Sequence, residues 1–124
     1  MKISAQFLNQ IQDQVVLKNH AAHALGVASV EMELEKLRLS DPKTEMESQE
    51  RIFRIGAVQS EFDGYRSTHM GVVLKANARQ REIGEAALAE LGLASTKRVF
   101  TIDERNGEVL ELINGTYVPV LEAA

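Results

Sequence analysis

The sequence contains no cysteine and no tryptophan, and its only aromatic side chains are four phenylalanines and two tyrosines. Without cysteine the chain can form no disulfide, no thiolate metal site and no thiol nucleophile. With so few aromatic residues, its core must be built from aliphatic and small side chains, as in helical hairpins and bundles.

A long hydrophobic segment is also missing. The most apolar run, residues 21–30, contains His23 and is too short to span a bilayer. Residues 1–12 have neither the apolar core nor the small-residue cleavage site of a secretory signal. We therefore expect a cytoplasmic protein, or one incorporated into an assembled particle, that has no membrane partner and is not secreted by a classical signal.

The sequence has fewer basic than acidic residues: it contains 14 Lys and Arg and 18 Asp and Glu, which gives a formal net charge of −4. One basic stretch lies between residues 75 and 98, and its members are Lys75, Arg79, Arg81, Lys97 and Arg98. This stretch could contact an anionic partner, but the pattern favours an exposed helix face paired with Glu82 and Glu85. A net-acidic chain is a poor general nucleic-acid binder, so we do not expect nucleic acid as a partner.

The strongest signal present is a stripe of eleven positions on residues 52–91, spaced at the 3.6-residue period of an α-helix. Its members are Ile55, Val58, Phe62, Tyr65, His69, Val73, Ala76, Gln80, Ile83, Ala87 and Leu91. The unbroken phase predicts one long helix over about residues 42–92. The alternative is a break near Gly64 that folds the chain into three helices, since each interior glycine costs a helix about 1 kcal/mol.

A first helix is predicted over about residues 4–39, with Ser4 as its N-cap. Residues 40–42 predict a tight turn, because Asp41 suits an N-cap and Pro42 suits the first position of the next helix. A tight turn makes the two helices antiparallel neighbours. At the far end, Gly92 predicts a Schellman cap.

Three strand-like runs follow, at residues 98–103, 108–113 and 116–120. Asn114-Gly115 predicts a type I′ hairpin turn, and Pro119 predicts that the last strand is an edge. The predicted fold is therefore mainly α: a long, coiled-coil-like antiparallel helical hairpin over residues 1–94, then a small three-stranded antiparallel β-meander over residues 95–124. A sheet this small needs support, so we expect it to pack on helix or on a neighbouring chain.

No set of side chains converges on a reaction, so we expect neither an enzyme nor a small-molecule substrate or cofactor. His20 and His23 are three residues apart, but no further ligand lies near them on the helix, so we expect no metal site. His69 interrupts the apolar stripe, and we expect it to be partly buried and hydrogen-bonded across the hairpin.

The first helix is apolar on more than one side, whereas a hairpin covers only one of them. We expect a homo-oligomer, or contact with another protein subunit, through Ala21, Ala24, Val27, Ala28, Val30, Leu34 and Leu37. The sequence thus favours a structural or assembly protein, for example a component of a phage virion or secretion-type assembly. The alternative is a small regulatory adaptor or inhibitor that binds protein or nucleic acid through the basic stretch or the meander.

Overall fold

A computed structural model describes residues 1–93 and 97–122. Two long helices precede three short strands: α1 (Ala5–Ser40), α2 (Ser48–Glu90), β1 (Phe100–Ile102), β2 (Val109–Ile113) and β3 (Thr116–Pro119). The predicted fold class is confirmed, because the helices form the antiparallel hairpin and the strands form one antiparallel sheet in the order β1-β2-β3. No described helix combines the length and the apolarity needed to cross a membrane.

The chain divides into two compact units, and each long helix contributes to both. Residues 1–18 with residues 75–124 form what we call the β unit, and residues 19–74 form the hairpin unit. The two units differ sharply in core: of the buried hydrophobic residues in the described chain, seven lie in the β unit and only Ala21 and Leu39 lie in the hairpin unit.

The core of the β unit lies between the sheet and the helices. Ile11 of α1 and Ile83 and Ala87 of α2 pack with Val109 of β2 in one cluster of buried residues. Val109 is fully buried, as expected for the inward-facing position of a strand that is paired on both sides. The small sheet therefore obtains its support from the two helices of its own chain.

The turn between β2 and β3 follows the prediction. Asn114 and Gly115 have φ values of 50° and 79°, and the flanking residues Ile113 and Thr116 pair directly, so this is a type I′ turn. Pro119 lies on β3, an edge strand of the sheet, where its missing N–H leaves no gap in an inner ladder.

Both predicted helix caps are also present. The Ser4 hydroxyl accepts a hydrogen bond from the backbone N–H three residues later at 3.5 Å. Gly92 has a φ of 75°, the Leu93 N–H donates to the Leu88 carbonyl at 2.9 Å, and the Gly92 N–H donates to the Ala89 carbonyl at 3.0 Å. This pair of bonds defines a Schellman cap.

The first three residues make a contact that the sequence did not predict. They lie antiparallel to the beginning of β2: the Ile3 N–H donates to the Gly107 carbonyl, and the Val109 N–H donates to the Met1 carbonyl, both at 2.9 Å. The Met1 ammonium donates to the Val120 carbonyl at 2.6 Å. A stretch of three residues is too short to show strand periodicity in the sequence.

The connection between the helices differs from the predicted tight turn, because α2 begins at Ser48 rather than near residue 42. The intervening loop is held by hydrogen bonds from Arg51. Its guanidinium donates to three backbone carbonyls, those of Leu39, Asp41 (2.9 Å) and Thr44 (2.9 Å). The Leu39 carbonyl lies in the last turn of α1 and would otherwise lack an intrahelical partner, and the other two bonds hold the loop that replaces the predicted Asp-Pro helix start.

α2 continues through its glycines, so the alternative break near Gly64 does not occur. Burial follows the predicted stripe, but unevenly. Ala76, Ile83 and Ala87 are buried in the β unit, whereas Phe62, in the hairpin unit, is only half-buried. The phase of the stripe was thus informative about which face turns inward, but not about how completely that face is covered.

Replacing Gly64 with alanine should stabilise the protein. A Cβ built at Gly64 meets no described atom within 4 Å beyond its neighbours and the nearby backbone of its own helix. Alanine, which is a better helix former than glycine, therefore fits at this position without a clash. We expect the free energy of unfolding to rise by about 1 kcal/mol, measured by urea denaturation. Gly107→Ala is the matched control: with a φ of +77° and Ile3 Cγ1 at 3.1 Å from the new Cβ, it should lower the free energy of unfolding.

Replacing Ile3 with alanine should destabilise the β unit. Ile3 is only 6% exposed and lies in the same cluster as Val109, so the change should cost about 2–4 kcal/mol of unfolding free energy. Leu121→Ala is the control, because Leu121 is 84% exposed and its loss should change stability by less than about 0.5 kcal/mol. Equal effects of the two changes would contradict the packing of the N-terminal residues on the sheet.

Candidate interaction site

The side of α1 that was expected to bind another chain is largely uncovered in the hairpin unit. Val27 is 45% exposed, Val30 and Leu34 are each 60% exposed, and Leu37 is 66% exposed. Side chains of this kind contribute most when they are removed from water, so a row of four on one helix is an unusual surface for a separate hairpin.

The alanines assigned to the same interface are less exposed than these four residues. Ala21 is only 3% exposed and is therefore already buried within its own chain, which removes it from the expected contact surface. Ala24 and Ala28 are half-buried and line a groove between α1 and α2. The prediction failed for Ala21 because several sides of α1 are apolar near this residue, and composition alone does not say which side turns inward.

The exposed residues follow a heptad spacing that was not predicted from the sequence. Steps of three and four alternate along His20, His23, Val27, Val30, Leu34 and Leu37, and all six side chains are exposed. This is the spacing of the a and d positions of a coiled coil. We call these six residues the outer seam.

The outer seam is centred on the side of α1 that faces away from α2, although His23 and Val27 also line the groove between the two helices. Leu25 and Met32 are half-buried and Leu39 is buried, so these three residues mark the inner side of the helix. At 100° per residue, the seam is centred about 180° around α1 from them.

A groove of about 670 Å³ lies between the helices of the hairpin unit, on one side of the inner face. Its apolar lining includes Ala24 and Ala28 of α1 and Phe62 of α2, while Glu35 and Glu61 contribute carboxylates. Arg38 holds Glu35 at 2.5 Å, and this hydrogen bond keeps the pKa of the Glu35 carboxyl below the usual range for glutamate.

The basic stretch lies in the β unit and is partly neutralised there. Arg79 pairs with Glu82 at 3.1 Å, as the sequence analysis favoured. Arg98 makes a bidentate pair with Glu111 at 2.6 and 2.7 Å and lies over the ring of Phe100 at 4.9 Å. These contacts orient Arg98 along the sheet.

The other three cations of this stretch lie in the same unit. Lys75 and Lys97 are exposed, and Arg81 lines a cleft of about 530 Å³ together with Lys18 and Gln80. Two of the five basic side chains are thus held by carboxylates, which reduces the positive charge that the stretch can offer to an anion.

His69 is half-buried, as expected, but its hydrogen bond runs along its own helix rather than across the hairpin. Its Nδ1 lies 2.9 Å from the carbonyl of Tyr65, one turn earlier, and the two rings are 3.9 Å apart. In residues 1–93 and 97–122, no three His, Cys, Asp or Glu side chains are grouped so as to hold a metal ion.

Comparison with protein-family models, with curated proteins and with solved structures gives no match for this chain. The most regular feature of the surface is the outer seam, with its heptad spacing of exposed residues.

Replacing Arg98 with glutamine should raise the pKa of Glu111. The Arg98 hydrogen bond lowers that pKa in the folded protein, so the pair stabilises the fold above the unfolded-state pKa of the carboxyl and loses this effect as the pH falls through the folded-state pKa. We expect the variant to show an upward shift of Glu111 in an NMR pH titration. Arg79→Gln is the control, because it removes an ion pair elsewhere and should leave Glu111 unchanged.

Proposed function

We propose that this protein is a non-enzymatic assembly module that associates with further copies of itself, or with a subunit of a larger particle, through the hairpin unit. The observation that carries the proposal is the contrast between its two units. Only Ala21 and Leu39 are buried hydrophobic residues in residues 19–74, while four apolar residues of the outer seam remain exposed there.

The free energy gained by covering the exposed seam residues is comparable with the stability of a small domain. Fully burying a valine or leucine side chain contributes roughly 1.5–3 kcal/mol, so covering Val27, Val30, Leu34 and Leu37 would contribute several kcal/mol per chain. The net stability of a small domain is about 5–15 kcal/mol. Contact with another chain could therefore supply a substantial part of the stability of the hairpin unit.

Charge supports a protein partner rather than a nucleic acid. Residues 19–74 carry nine acidic and six basic side chains, so the hairpin unit is net acidic. Phosphate backbones are bound by concentrated positive charge, and the basic stretch at residues 75–98 is partly held by Glu82 and Glu111.

The mass of the purified protein at micromolar concentration, measured by light scattering after size exclusion, tests this proposal. We expect a mass above the 13.7 kDa of one chain. Leu34→Glu should shift the mass toward the monomer, because it places a charge within the apolar row. Ala22→Glu is the matched control: Ala22 is exposed on α1 but lies outside the seam, so this change should leave the mass unaltered.

A wild-type mass of one chain would contradict self-association. If the two glutamate variants lowered the mass equally, contact would not be specific to the exposed row. Loss of association after charge reversal of Lys75, Arg79 and Arg81, with Leu34→Glu having no effect, would favour the regulatory adaptor instead.

A further inference from the structure

We infer that the partner of the outer seam is a second copy of this chain, and that the two α1 helices meet in parallel as a two-stranded coiled coil in which His20 and His23 form adjacent layers. This inference rests on the proposed function. It adds the identity of the partner, its orientation and a sensitivity to pH.

The first support is the regularity of the seam. His20, Val27 and Leu34 occupy a positions, and His23, Val30 and Leu37 occupy d positions. A strict alternation of three and four residues keeps a seam aligned along a supercoiled partner, whereas a helix that packs on a globular surface needs a wider apolar stripe. A helix with the same repeat is the surface that this seam fits, and a second α1 has it.

The second support is the matching of layers. In a parallel pair each seam residue faces its own copy, so histidine meets histidine and leucine meets leucine. In the antiparallel pair that aligns all six positions, His20 faces Leu37 and His23 faces Leu34. Polar residues at a positions favour the register that places them together, because a lone polar group in an apolar layer loses hydrogen bonds. The seam therefore favours the parallel pair.

The third support is the charge at the flanking positions. Glu33 occupies a g position and Arg38 the following e position, which are the two positions that meet across a parallel coiled coil. On its own helix Arg38 uses Nε and Nη2 to bind Glu35, and a guanidinium has five N–H donors, so further donors can bind the partner's carboxylate. The other flanking residues bring no like charges together in the parallel pair.

The histidine layers make the contact depend on pH. In the parallel pair each histidine faces its own copy, so two protonated imidazoles would place like charges opposite each other in the seam. No carboxylate lies within one turn of His20 or His23 on α1. The groove that His23 lines also holds Glu31 and Glu35 of α1 and Glu61 and Tyr65 of α2, and Tyr65 contacts His69. The dimer should therefore weaken in acid.

Single cysteines test the orientation cleanly, because the chain has none of its own. His20→Cys and Leu37→Cys lie at opposite ends of the seam. In the parallel pair each variant alone should form a disulfide-linked dimer under mild oxidation. Ala22→Cys is the matched control, exposed but off the seam, and should cross-link far more slowly. Cross-linking that appears only when the two seam variants are mixed would establish the antiparallel pair and overturn the inference.

The pH dependence is tested by sedimentation equilibrium at about pH 7.5 and pH 5.5. We expect the dissociation constant of the dimer to rise about tenfold or more at the lower pH. The double variant His20→Leu and His23→Leu should form a tighter dimer and lose most of that change. If the double variant keeps the wild-type pH dependence, the histidine layers are refuted.

The outcomes separate this inference from the proposed function. A stable oligomer in which neither seam variant cross-links faster than Ala22→Cys would leave self-association standing and overturn the seam as its site. A monomer under all conditions would overturn both. Cross-linking of both seam variants alone, with the expected effect of the double histidine change, would support both.

Discussion

The structure depends on a limit of helical hairpins: two helices bury one stripe each against one another and enclose little else. In the hairpin unit this leaves only Ala21 and Leu39 buried, although both helices are rich in aliphatic residues. In the β unit the same two helices are closed by a sheet, and seven hydrophobic residues of the described chain become buried. The hairpin unit has only two layers, whereas the β unit has the sheet as a third.

Closure of the β unit relies on backbone contacts as much as on apolar packing. Residues 1–3 and β3 pair with successive parts of β2, and the Met1 ammonium meets the Val120 carbonyl where these two segments adjoin. Gly107, with its positive φ, brings the loop before β2 close to Ile3, where a larger residue would meet a side-chain carbon at 3.1 Å. The central strand is thereby paired along one edge with β3 and with the residues that lead into α1, and along the other edge with β1.

Much of this fold could be predicted because its signals are local. The Asn114-Gly115 turn, the Gly92 cap and the phase of the α2 stripe each depend on residues that are close in sequence. The features that were missed depend on distant contacts: Arg51 lengthens the loop by binding three carbonyls across it, and residues 1–3 find their partner more than a hundred positions away. The outer seam was missed for another reason. In the sequence its heptad spacing overlaps with other apolar rows on α1, and only the exposure of its side chains in the structure distinguishes it from them.

The glycines of the hairpin unit extend the argument from packing to assembly. Gly26, Gly56, Gly64 and Gly71 lie within helices, and a Cβ at each would meet no described atom within 4 Å beyond its neighbours and the nearby backbone of its own helix, so no packing contact inside the chain explains them. Each lowers helix stability by about 1 kcal/mol relative to alanine, in the unit with the smaller core. A contact that covers the seam would stabilise this unit by mass action, because it binds the folded hairpin and not the unfolded chain. Folding and association of the hairpin unit would then be two aspects of one equilibrium, whereas the β unit already has a buried core within one chain.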